Sequence, residues 1–153
     1  MVRGRSPAAT LLLVAMVIGI GGCYSYAEPS YHPGDARQVL LAISRHGVSV
    51  VSSVDGQSAC ADPGLTGNAL HLRGSVASDP TLRDIYVYTF KSNKWDGSQP
   101  AVDACQASYA AAHPGATVAR LDIPTYRAFG ADWSPELSAA LRNALTEAAS
   151  QGE

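Results

Sequence analysis

Two hydrophobic periods alternate along residues 35–150 of this chain. Between Asp35 and His46, the residues Ala36, Val39, Leu40 and Ile43 recur at helical spacing. Asp35 suits an N-cap and Gly47 a C-terminal stop, so the spacing predicts a first helix. Val48 to Val54 is rich in β-branched residues and runs into the turn signal Asp55-Gly56, which reads as a strand. Gln57 to Asn68 carries Asp62-Pro63-Gly64 and Gly67-Asn68 and reads as a loop. Ala69 to Val76 alternates imperfectly and predicts a second strand.

The clearest strand runs from Ile85 to Lys91. Ile85, Val87 and Thr89 point one way; Tyr86, Tyr88 and Phe90 point the other. Both faces are apolar enough for a central strand. A polar loop with Trp95 follows. Gln99 to His113 predicts a second helix that turns Val102, Cys105, Tyr109 and Ala112 inward and stops at Pro114-Gly115. Ala116 to Ile123 and Tyr126 to Phe129 read as a strand and a short return strand on either side of Pro124. Ser134-Pro135-Glu136 then starts a third helix, whose stripe is Leu137, Ala140, Leu141, Ala144, Leu145 and Ala148. The order predicts an α+β fold: a mainly antiparallel sheet of about 4–5 strands with about three helices packed on one face. Residues 35–150 form a single domain on this reading.

A different pattern precedes the domain. Arg3 and Arg5 lead into an apolar run from Thr10 to Ile20, which ends in Gly21-Gly22-Cys23. At about 11 residues the run is half the roughly 20 needed to span a bilayer. A basic start, a short apolar core and small residues at its end describe a signal peptide over residues 1–22. The sequence Ile20-Gly21-Gly22-Cys23 resembles the lipobox of bacterial lipoproteins. That resemblance implies diacylglycerol on the Cys23 thiol, cleavage between Gly22 and Cys23, and often acylation of the new amino group. Beyond it, the chain resembles small bacterial lipoproteins only in general terms. Residues 23–34, with Pro29, Pro33 and Gly34, read as a flexible tether.

Charge narrows the partners. The whole chain has 11 basic and 13 acidic residues; removing residues 1–22 takes Arg3 and Arg5 and no acid, which leaves a net charge of −4. An acidic chain without a basic stripe argues against nucleic acid as a partner, and lipid rather than charge must hold it at a membrane. With Cys23 assigned to lipid, Cys60 and Cys105 remain as an even pair in an oxidising compartment, where a disulfide is the default. Two separate buried thiols, or one reactive thiol, are the competing readings.

Chemistry is sparse. His32, His46, His71 and His113 show no paired metal-ligand spacing, so no metal is expected. There is no Gly-x-Ser-x-Gly elbow, phosphate loop or dinucleotide fingerprint, and no cofactor is expected. Asp79, Asp84, Asp96, Asp103, Asp122 and Asp132 fall mostly at turns and element ends. Two features suit binding. Tyr86, Tyr88 and Phe90 either line a groove or form the second buried side of a central strand. Trp95 and Trp133 either make an exposed rim or cap the ends of the core.

The expected protein is thus a lipid-anchored envelope protein on the extracytoplasmic face of the cell membrane. It binds an envelope protein or a small ligand without catalysis. The competing expectation is a small extracytoplasmic hydrolase using carboxylates at strand ends. Replacing Cys23 by Ala should leave an unprocessed chain that lacks the diacylglycerol mass and is released from the membrane fraction. Normal maturation and membrane retention of the Cys23→Ala chain would refute the anchor.

Overall fold

The structure, a computed structural model, describes residues 35–90 and 98–151. The signal segment, the tether with Cys23, and the loop that holds Trp95 and Asp96 lie outside the described residues. The elements in chain order are α1 (Ala36–Arg45), β1 (Val48–Asp55), α2 (Pro63–Thr66), β2 (Ala69–Val76), β3 (Asp79–Thr89), α3 (Gln99–Ala112), β4 (Val118–Ile123), β5 (Tyr126–Ala131) and α4 (Pro135–Ser150). The five strands form one antiparallel sheet in the order β1-β2-β3-β5-β4, so the α+β class with an antiparallel sheet holds. β3 lies at the centre and α3 carries the chain to the far edge, from which β5 returns to pair with β3.

Caps define the helices as their sequences require. Asp35 accepts a hydrogen bond from the Gln38 amide at 2.8 Å, and Ser134 accepts one from the Leu137 amide at 3.2 Å. Each satisfies an amide that the first turn leaves without a partner. The apolar stripe of α4 buries Leu137, Leu141 and Leu145 completely, each contributing roughly 1.5–3 kcal/mol over its exposed state. They meet Val39, Ala42 and Ile43 of α1 and Leu72, Ile85 and Val87 of the sheet in one core.

The helices do not share one face. α1 and α4 cover one side, while α3 and the short α2 cover the other through Leu65, Val102, Cys105 and Tyr109, packed on Tyr88 and Phe129. The period-2 alternation of β3 already required two apolar environments. A second layer, rather than solvent, supplies the one that faces Tyr88.

β3 also begins at Asp79, six residues before the run of apolar residues. Its first half pairs only with β2, because β5 joins β3 only from Tyr86 to Thr89. Pro80 is therefore tolerated, since this half of β3 has a ladder on one side and is an edge on the other. The return from β4 to β5 is a two-residue turn, Pro124-Thr125, with Thr125 at φ 68°. A β-branched residue in that region is uncommon; the Thr125 carbonyl accepts from the Phe90 amide at 2.8 Å and ties the turn to the end of β3.

Trp133 belongs to the α4 side of the sheet. Its indole lies over Gly130, where a Cβ would stand 2.5 Å from Nε1, and it donates to the Asp84 carbonyl at 3.0 Å. Gly130 is needed for that close approach. Trp133 caps the core end.

Buried Arg127, only 3% exposed, fastens α3 to the β4–β5 hairpin. Its guanidinium donates to Asp103 of α3 and, at 2.7 Å, to Asp122 of β4; Arg120 donates to the same two carboxylates. Burial opposes ionisation of Asp122, but the hydrogen bonds from Arg120 and Arg127 outweigh it and hold the carboxyl below its ordinary value. Among the described residues, no helix is long and apolar enough to cross a membrane.

Because the folded-state pKa of Asp122 is depressed, its contribution to stability is present above the ordinary aspartate range and is lost as pH falls through the folded value. Asp122→Asn should cost roughly 1–2 kcal/mol at neutral pH, discounted for half-exposure of the carboxylate. The gap from the parent should narrow as pH falls below the ordinary aspartate range and the carboxylate takes up its proton. Urea titrations at a series of pH values test this; a gap independent of pH would remove the carboxylate charge from the account.

Candidate functional site

The antiparallel register of β2 and β3 sets Tyr86 opposite His71 and Asp84 opposite Arg73, on the face covered by α3. Tyr86 also stands opposite Phe129 of β5. α3 and the segment before α2 cover this face only in part: Val54 at the β1 edge is 48% exposed. Where the cover stops, a cleft of about 600 Å³ opens between the Cys60–Asp62 segment, the Ala104–Ser108–Ala112 side of α3, and a floor of Asp84 and Tyr86.

A row of rings runs along the cleft. His71 stacks on Tyr86 with centroids 4.4 Å apart and planes within 8°. Tyr109 meets Tyr86 edge-on at 5.5 Å, and His113 lies 4.1 Å from Tyr109. The His113 ring is oriented by a 2.8 Å hydrogen bond from Nδ1 to the Tyr109 carbonyl. Such contacts add roughly 0.5–1.5 kcal/mol per aromatic pair beyond area burial, so the row is a preformed surface.

Burial, and then the negative charge of Asp84, push the Tyr86 hydroxyl up to about 12. The same two causes raise Tyr109. Both phenols are therefore neutral at physiological pH and can donate or accept. Asp84 accepts from His71 Nε2 at 2.8 Å through Oδ1, and Arg73 Nε lies 3.7 Å from the same oxygen. His71 Nδ1 is engaged with Gln57 Oε1 at 2.9 Å. With both ring nitrogens occupied, His71 is held against Tyr86 and Asp84 behind the cleft, and neither nitrogen faces a serine hydroxyl as a nucleophile's base must.

Cys60 and Cys105 form a disulfide, with Cα atoms 5.5 Å apart. It fixes the Cys60 segment against α3 and forms part of the cleft wall. Tyr88 lies beneath it, fully buried, with its hydroxyl 2.9 Å from Ser58 Oγ and accepting from the Ala59 amide at 3.0 Å. Burial raises the Tyr88 hydroxyl, and the hydrogen bonds from Ser58 and Ala59 partly oppose it.

Of the aromatic residues nominated from sequence, Tyr86 lines the cleft, Tyr88 supports the disulfide segment and Trp133 lies on the opposite face of the sheet. Trp95 and Cys23 lie outside the described residues. Of the aspartates named from sequence, Asp84 lines the cleft, Asp79, Asp103, Asp122 and Asp132 do not, and Asp96 lies outside the described residues. Asp103 and Asp122 do meet, but through the guanidinium groups of Arg120 and Arg127. Asp132 accepts from the Thr117 amide, and Asp79 from the Thr81 amide. Among the described residues, no group of three or more His, Cys, Asp or Glu could hold a metal ion.

Sequence reasoning had not singled out His71, Asp84, Tyr109 and His113 as one site. Their common signal was face parity: residues 71, 84 and 86 share a sheet face once the β2–β3 turn is placed, and 109 and 113 lie one helical turn apart.

Replacing both cysteines by serine should lower unfolding free energy by about 2–4 kcal/mol. It should also release the Cys60 segment, raising amide exchange at residues 58–62 above that of α4. Unchanged protection there, measured by hydrogen exchange, would mean that Tyr88 alone holds the segment. No protein-family model matches the chain, and no curated protein or solved structure matches it.

Proposed function

We propose that this chain is a lipid-anchored protein of the extracytoplasmic face of the cell membrane, and that it is a non-enzymatic binding module. The lipobox-like Ile20-Gly21-Gly22-Cys23 supports the anchor. A Cys60–Cys105 disulfide suits an oxidising compartment. The cleft between Tyr86 and α3 carries the binding reading. It is concave and of ligand size, lined largely by apolar and aromatic groups with a few polar ones, as small-molecule sites are. That shape favours a small ligand over the flat surface of an envelope protein.

Ser108 lies on the exposed wall of α3 beside the cleft. Ser108→Trp should fill the cleft while leaving both apolar cores intact. Native mass spectrometry of the protein extracted from its own membranes should show a small molecule bound to the parent chain and lost from the variant. Equal small-molecule content in both, with both folded and membrane-bound, counts against the cleft as the binding site.

A further inference from the structure

The wall chemistry of the cleft selects among ligands. Two carboxylates, Asp62 and Asp84, border it, and no lysine or arginine lines it among the described residues. Asp84 is 46% exposed; His71 and Arg73 both approach it from Oδ1, and Oδ2 has no hydrogen-bond partner among the described residues. Asp62 caps α2 through the Gly64 amide with Oδ1. Between these charges stand the rings of Tyr86 and Tyr109, the small side chains of α3, and the disulfide. Aromatic rings attract a cation through their quadrupole, more strongly when it is desolvated. Small alanines leave room for an apolar body. An anion would meet two like charges and find no lysine or arginine in the lining among the described residues.

We infer that the cleft takes a small organic cation: an ammonium group held between Asp84 and the Tyr86–Tyr109 rings, with an apolar body against α3. The inference rests on the binding-module reading and adds the charge class of its ligand. His71, at 2.8 Å, and half-exposed Arg73, at 3.7 Å, both hold Oδ1 of Asp84. An ammonium ion approaching Oδ2 does not need to displace either of them.

Calorimetric titration of the full chain in uncharged detergent can use three probes of similar shape: benzyltrimethylammonium, benzyl alcohol and benzoate. The cation should bind at least about tenfold tighter than the neutral probe, and benzoate weakest of the three. Asp84→Asn keeps the size of the side chain and should weaken the cation about tenfold while changing benzyl alcohol less than about twofold. Asp62→Asn retains a capping side chain and should weaken the cation by a smaller factor. Raising NaCl from ~50 to ~500 mM should lower cation affinity, as screening requires.

Benzyl alcohol or benzoate binding as tightly as the cation, with all three lost in Tyr86→Ala, overturns the charge class but leaves the cleft as a ligand site. Cation affinity unchanged in both Asp84→Asn and Tyr86→Ala would place the probe elsewhere and also overturns the inference. An absence of cation binding overturns it outright. The binding-module reading stands or falls separately, on the small molecule retained by the parent chain and lost from Ser108→Trp.

Discussion

The two-sided burial of β3 governs this structure. Ile85 and Val87 face the layer of α1 and α4, and Tyr88 faces α3 on the other side, all nearly inaccessible. A strand that alternates side chains at period 2 and is apolar on both faces must be covered twice. β3 therefore takes a central place, with β2 on one side and β5 on the other. The chain order then follows: β1 and β2 approach as a meander, and α3 must pass over the sheet before β4 and β5 complete it.

The two layers are held by different forces. α1 and α4 are amphipathic helices that bury continuous aliphatic stripes, and the hydrophobic effect suffices for them. α3 buries less, chiefly Val102, Cys105 and Tyr109. It is fastened by a covalent bond to the Cys60 segment and by the ion cluster around buried Arg127. Arg127 is buried while Asp103 and Asp122 stay about half exposed, so water screens the carboxylate side of the cluster. The sheet-facing surface of α3 can thus stop short of full coverage, and the cleft exists where it does.

Within the cleft, conformational order and electrostatics reinforce one another. The ring row from His71 to His113 is assembled from β2, β3 and α3, and each ring has a neighbour that limits its rotation. Preorganisation of this kind reduces the ordering entropy that binding must overcome. Burial first, and then the charge of Asp84, raise the Tyr86 hydroxyl, so the ring stays neutral beside the carboxylate.

The order and type of most elements were legible along the chain, because hydrophobic period, caps and turn residues act over a few residues. Asp35 and Ser134 cap the helices that their sequence contexts predict, and β2 spans the interval from Ala69 to Val76. The disulfide followed from counting cysteines once Cys23 was assigned to lipid, and the geometry of Cys60 and Cys105 bears it out. Three things needed the tertiary structure. The polar start of β3, with Asp79 and Pro80, becomes a strand only because β2 offers it a ladder. The opposite faces taken by α3 and α4 depend on where the crossover runs, which no local pattern encodes. The site itself joins positions 71, 84, 86, 109 and 113 from two strands and a helix, so their proximity depends on strand register and helix placement. Local sequence set which faces are apolar; long-range packing decided which faces meet, and where one was left partly open.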